Sequence, residues 1–364
     1  MVNAPKNSAA PPTSVFIVGT GRCGSTLLSD MVRLHPKLLD LSELLACQGV
    51  EAFYPARLSG QRFWRRLAQP RRTVKATLPS QVSEFTYPLG KGRYDEAALP
   101  PILHATLPRI ADDCDGLFDT LGAAVAARPR ARLCDHYRFM AEFLCRERER
   151  EMWVERSGAS ALMLPAILKN FPDAKIVHIV RDGRETALSM ADHPAFRLLA
   201  SNRLRFHQFG VRALRLENLF SDGSFFVALY PLYEKLFDPV PEARRKHPLT
   251  VYGAFWSGLI GRSLNLLGGL DRHRVLQVPY ERLVAEPHQT AERLAVFLGL
   301  PKGGATTAWI DAAAKLPQVR PSRFARLGED ERQVLHRTCA AQLNRLGYPG
   351  IDGPVGTAGQ VTLA

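Results

Sequence analysis

The chain has 364 residues, 46% of them hydrophobic and 23% charged, a composition that can bury a sizeable core and excludes global disorder. Its formal net charge of +13 asks for an anionic partner: nucleic acid, an anionic membrane face, or a multiply charged small ligand. The arginines are spread along the chain instead of gathered in a tail, which weighs against nucleic acid.

Residues 1–13, rich in Pro, Ala and Asn and without an apolar core, read as a disordered leader and not as a signal peptide. Val15–Val18 is a short strand that runs into a glycine-rich turn. A helix follows over Ser25 to Leu34, with Leu27, Leu28, Met31 and Val32 at helical spacing, and His35-Pro36 closes it. The stretch from 50 to 150 is aromatic, broken by prolines and strongly basic around Arg62–Lys75, and holds a helix whose charged end lies at Arg146–Glu151. Met152–Arg156 is a strand, Leu162–Phe171 a helix, Pro172-Asp173 a turn, and Lys175–Val180 a buried strand leading into Arg181-Asp182-Gly183-Arg184 and another helix. Residues 195–270 read as mostly helical. Val275–Pro279 is a further strand, Pro287–Leu298 a helix, and Glu329–Leu346 an amphipathic helix capped by Gly347. Strands alternating with helices imply an α/β fold, its sheet mostly parallel and covered on both faces. Residues 14–348 form a single expected domain, with helical insertions near 50–150 and 195–270 and a flexible tail over 349–364. No run approaches the length of a bilayer span. The six cysteines form neither C-x-x-C pairs nor a zinc spacing, so a reduced, cytoplasmic setting without a metal site is expected.

Gly19-Thr20-Gly21-Arg22-Cys23-Gly24-Ser25-Thr26 sits between strand and helix, where backbone N–H groups and the helix dipole favour an anion. Alone it fits two templates. It matches G-x-G-x-x-G, with Asp40 and Glu43 about where a ribose-binding acid would fall. It also matches Walker A, except that Ser25 stands where a nucleoside-triphosphate hydrolase needs lysine; Arg22 could supply the cation from within the loop.

Extended to Leu27-Leu28, the loop resembles the 5'-phosphosulfate loop of the sulfotransferase superfamily, in the subgroup with tyrosylprotein and many bacterial enzymes. The resemblance implies a P-loop-like three-layer fold and a donor site built from Gly21, Arg22, Cys23, Gly24, Ser25 and Thr26. Phe171 to Met190 resembles the family's 3'-phosphate motif, with Arg181 ending a strand and Ser189 two turns into the next helix. Arginine's planar fork and a neutral hydroxyl suit a phosphate. Trp153-Val154-Glu155-Arg156-Ser157 resembles the strand whose final lysine touches the transferring group, here replaced by Arg156. Val278-Pro279-Tyr280 resembles the stretch in which a tyrosine, here Tyr280, approaches the adenosine. Arg323 to Tyr348 resembles the closing loop and helix, which brings Arg323 and Arg320 into consideration at the donor.

The function so implied is transfer of a sulfuryl group from 3'-phosphoadenosine 5'-phosphosulfate to a hydroxyl of a small-molecule, lipid or glycan acceptor, without a metal. A bacterial small-molecule or lipid acceptor is favoured over a peptide tyrosine. Glu43 follows the first helix at the spacing of the family's catalytic glutamate and is the expected base, with Arg22 and Arg156 stabilising the leaving phosphate. His136 is its rival, since another branch of the family uses histidine; His104 ranks below it. A P-loop small-molecule kinase is the competing enzyme reading. The competing binding reading is a nucleic-acid module carried by Arg62–Lys75 with Phe63 and Trp64; that segment could equally meet an anionic acceptor or a membrane surface.

Overall fold

The computed structural model describes residues 13–208, 232, 236, 238–351 and 353. The expected leader up to residue 12, the middle of the 195–270 stretch and the tail beyond 353 lie outside the described residues. Its centre is a five-stranded sheet of β1 (Ser14–Val18), β2 (Leu38–Ser42), β5 (Met152–Arg156), β6 (Lys175–Val180) and β7 (Val275–Pro279), in the order β2-β5-β1-β6-β7. Every pairing in it is parallel. A two-residue antiparallel pair, β3 (Arg57–Leu58) with β4 (Ala131–Arg132), stands apart from it.

Both faces of the sheet are covered because the strands are apolar on both sides. Phe16, Val18, Trp153, Ile176 and Val180 enter one core, while their neighbours Val15, Ile17, Val154, Val177 and Ile179 enter the other. The second core is closed by α1 (Ser25–Arg33) through Leu28 and Met31, by the helix Pro287–Leu298 through Ala291 and Leu294, and by Trp309 of Gly304–Ala313. The first, larger core takes α2 (Gly60–Ala68), α4 (Pro101–Ala105), α5 (Cys114–Ala126) and α6 (Leu133–Glu147) around its insertion side, while α3 (Arg72–Thr77) packs through Ala76 into a small separate cluster with Leu198 and Ala243. Beyond β5 come α7 (Leu164–Asn170), α8 (Gly183–Ala191) and α9 (Pro194–Gln208). The long helix Leu249–Leu267 packs between α8 and the C-terminal helix Glu329–Arg345. The architecture is three-layered α/β with a parallel sheet, as the alternation of elements predicts.

Three strands, Met152–Arg156, Lys175–Val180 and Val275–Pro279, form with the bounds read from sequence. The helix expected over 162–171 is divided: a 3-10 turn at Ser160–Leu162 precedes Leu164–Asn170, where Pro165 occupies the first turn. Phe63 is fully buried and Trp64 packs against Phe118 at 4.9 Å between ring centroids, so both aromatics of the basic segment turn towards the core. Among the described residues no helix is long and apolar enough to cross a membrane.

Candidate active site

Because all five strands run the same way, their carboxyl ends share one edge, and each hands a residue to it. β1 leads into the glycine loop, β2 into Glu43, β5 ends on Arg156, β6 leads into Arg181, and β7 into Tyr280. Ligands of open parallel sheets bind in the crevice at this edge. A cleft of about 410 Å³ opens there, within the range of about 300–1,000 Å³ typical of small-molecule sites.

The loop contributes Arg22, Gly24, Ser25 and Thr26 to the cleft wall. Gly21, Arg22 and Gly24 have φ of 76°, 55° and 92°, the left-handed backbone from which anion-binding nests are built. Two glycines are sterically required. A Cβ on Gly24 would lie 2.3 Å from Tyr280 Cδ2, and one on Gly21 would lie 2.2 Å from Phe196 Cζ. The helix α1 starts at Ser25 with no side-chain cap and no acidic residue in its first turn. Its leading N–H groups and dipole therefore bring uncompensated positive charge to the cleft. Cys23 is buried in the core beneath, where burial pushes its thiol up, so Cys23 can offer a ligand only its backbone.

The two phosphate-type motifs of the sequence meet directly. Arg22 Nε donates to Ser189 Oγ at 3.2 Å, and Arg181 Nη1 donates to the carbonyl of Arg22 at 3.3 Å. The Arg181 guanidinium lies 4.5 Å above the Tyr280 ring, and Nη2 stands 4.0 Å from Glu185. The other carboxylate oxygen of Glu185 anchors the C-terminal loop, accepting from Ser322 Oγ at 2.6 Å and the Phe324 N–H at 2.9 Å. From that loop Arg320 reaches the cleft wall. Arg323 instead pairs with Asp192 at 2.8 Å on the surface.

Glu43 and Arg156 form a buried ion pair, their side chains 4% and 2% exposed. Glu43 has φ 59° and is fixed on its other oxygen by the Gly158 N–H at 3.0 Å; its own N–H donates to the Arg156 carbonyl at 2.7 Å. Arg156 lines the cleft, and Glu43 touches it through Arg156 without lining it. Next along β5, burial pushes the Glu155 carboxyl up to about 8, against hydrogen bonds from Ser157 and the Leu45 N–H.

Sequence reasoning missed Glu84, which lines the cleft from the insertion and accepts from Arg22 Nη1 at 2.7 Å. Burial disfavours its charge, but the nearby His193 and Arg22 outweigh this and hold its pKa well below the usual carboxylate range. No motif surrounds it: Ser83-Glu84 lies in irregular chain between α3 and α4. Asp40 is fully engaged within the fold, accepting from Ser29 Oγ at 2.6 Å, Ser42 Oγ at 2.9 Å and Arg109 Nε at 2.8 Å, which removes it as a ribose-binding acid. His136 is buried, stacked on Phe63 with Nε2 2.8 Å from the Leu58 carbonyl. His104 is buried as well, Nδ1 3.0 Å from the Leu78 carbonyl. Neither histidine lines the cleft.

A profile described as the sulfotransferase family matches residues 12–219, more than half of the chain. No curated protein sequence matches it. Among solved structures, the sulfotransferase domain from the curacin biosynthetic pathway is 16% identical with a TM-score of 0.44, covering 93% of this chain and 99% of that one. A sulfotransferase from Mycobacterium avium is 17% identical with a TM-score of 0.43, covering 94% and 79%. One from Alicyclobacillus acidocaldarius is 17% identical with a TM-score of 0.36, covering 93% and 95%.

Proposed function

The chain belongs to the sulfotransferase family, and we propose that its cleft takes 3'-phosphoadenosine 5'-phosphosulfate as donor and a hydroxyl of a small-molecule, lipid or glycan as acceptor. The observation that supports this reading is the contact between two elements that each carry groups suited to an anion. An uncapped helix start bearing Arg22 is tied through Ser189 and Arg181 to the end of a neighbouring strand. One anion site at a helix start would serve many nucleotides; two joined sites suit a ligand phosphorylated at two positions.

The donor supplies an activated S–O bond whose leaving group is a phosphate. Arg22, the loop N–H groups and the Ser25 and Thr26 hydroxyls hold its 5' end. Arg181 and Ser189 hold the 3'-phosphate, and Tyr280 lies against the adenosine while its ring keeps the Arg181 fork flat. Arg156 places positive charge where the leaving phosphate develops its own. Glu43 takes the acceptor's proton: Gly158 fixes one of its oxygens, and the other faces Arg156. In this scheme Arg156 serves two anions, so its turn towards the leaving phosphate frees a Glu43 lone pair for the proton.

The test is sulfuryl transfer from the purified protein and donor to a panel of hydroxyl acceptors. Glu43→Gln is expected to abolish turnover while adenosine 3',5'-bisphosphate still binds. Undiminished turnover in that variant refutes Glu43 as the base.

A further inference from the structure

The anion cleft contains an anion of its own. Glu84 is 8% exposed, and its carboxylate is fixed on several sides. Oε1 accepts from Arg22 Nη1 at 2.7 Å, and Oε2 accepts from Ser83 Oγ at 3.0 Å. Oε2 also stands 3.6 Å from His193 Nε2. The Nδ1 atom of His193 accepts the Ala195 N–H at 3.2 Å, so the proton of the neutral ring lies on Nε2, towards Glu84. This is a built position, and it points at the arginine on which the loop depends.

The remaining edge of Arg22 is also engaged, Nε donating to Ser189. Two of the five guanidinium N–H groups, Nε–H and one on Nη1, are thus engaged within the protein, leaving the second Nη1 N–H and both on Nη2 for a ligand. A carboxylate and a phosphate bind the guanidinium fork through the same N–H groups. A ligand phosphate must therefore either displace Glu84 from Arg22 or sit close beside its negative charge. Both oppose binding, and both favour departure.

We propose that Glu84 is an affinity-setting residue: an internal carboxylate that competes with the nucleotide for Arg22, weakening donor binding and hastening release of the bisphosphate product. This rests on the donor reading above. A residue that merely braced Arg22 would act in the opposite direction, since its removal would loosen the fork and weaken binding.

The experiment is calorimetric titration of the full chain with adenosine 3',5'-bisphosphate, with stopped-flow measurement of its dissociation. Glu84→Gln, which keeps the shape and removes the charge, is expected to bind about tenfold more tightly, the equivalent of losing one competing charge-assisted bond. Dissociation should slow in proportion. Glu84→Asp, which keeps the charge, should stay near the wild type. Glu84→Ala carries the same expectation as the glutamine variant and serves if that variant fails to fold. Equal or weaker binding by the charge-free variants, with the wild type binding normally, overturns this inference alone. A wild type that binds no adenosine 3',5'-bisphosphate overturns the donor reading and this inference together.

Discussion

Replacing Glu43 by alanine leaves the Arg156 guanidinium, 2% exposed, without its carboxylate. Breaking a buried pair from one side costs about 3–5 kcal/mol, because the surviving charge is stranded out of water. Alanine gains nothing from the backbone, since φ 59° at position 43 disfavours any residue with a Cβ. Glu43→Gln should cost less, because an amide oxygen can still accept the Gly158 N–H. Arg156→Ala strands the carboxylate instead, and the Gly158 N–H offsets only part of that charge. Removing both partners strands neither, so the double alanine variant should be more stable than the sum of the single losses implies, by about 0.5–3 kcal/mol. Against a total stability of about 5–15 kcal/mol these losses are large, and equilibrium urea unfolding of the four proteins at neutral pH resolves them. Single losses below about 1 kcal/mol that simply add, as for an exposed pair, would refute the account of a coupled buried pair. The same reasoning makes Glu43→Gln, and not the alanine variant, the fair probe of catalysis.

Gly24→Ala should weaken binding of adenosine 3',5'-bisphosphate by one to two orders of magnitude. The new Cβ meets the Tyr280 ring at 2.3 Å, a non-glycine φ of 92° adds about 1–3 kcal/mol of strain, and displacing the ring withdraws the support under Arg181. Unchanged affinity would show that loop and ring are not coupled. Glu155 titrates with the opposite sign to a salt-bridged carboxylate. Its pKa rises on folding from 4.5 to about 8, so between these values the native state holds the extra proton and stability falls as pH rises, by at most about 1.4 kcal/mol per pH unit. Urea midpoints measured from pH 5 to 8 should therefore fall less steeply for Glu155→Gln than for the wild type; parallel profiles contradict the buried acid.

The parts of the fold legible in the sequence were those fixed by local pattern. Lys175–Val180 and Val275–Pro279 are mostly β-branched or apolar, each broken by a single interior polar residue (His178, Gln277), and they form as read. β2, Leu38–Ser42, escaped because Asp40 and Ser42 interrupt its apolar run; the fold tolerates them by bonding both to Ser29 and Asp40 also to Arg109. That network depends on tertiary contacts 11 to 69 residues apart, which no local window reports. The site divides in the same way. Arg22 and Arg181 lie in recognisable strand-to-helix turns and Ser189 two turns into the helix that follows Arg181, and the structure brings the three together. Glu84 lies in irregular chain, and only folding puts it beside Arg22. The closing loop shows the limit of transferring single residues from a resemblance: Arg320 reaches the cleft, while Arg323, three residues on, pairs with Asp192.

The central claim is that one cleft holds two phosphates of one nucleotide, and a comparison of two ligands tests it. The purified protein, titrated with adenosine 3',5'-bisphosphate and with adenosine 5'-phosphate, should bind the bisphosphate at least tenfold more tightly. Arg181→Ala and Ser189→Ala should erase that preference while leaving the affinity for adenosine 5'-phosphate nearly intact. Equal affinity of the wild type for the two nucleotides, or equal losses for both in the variants, would contradict the assignment.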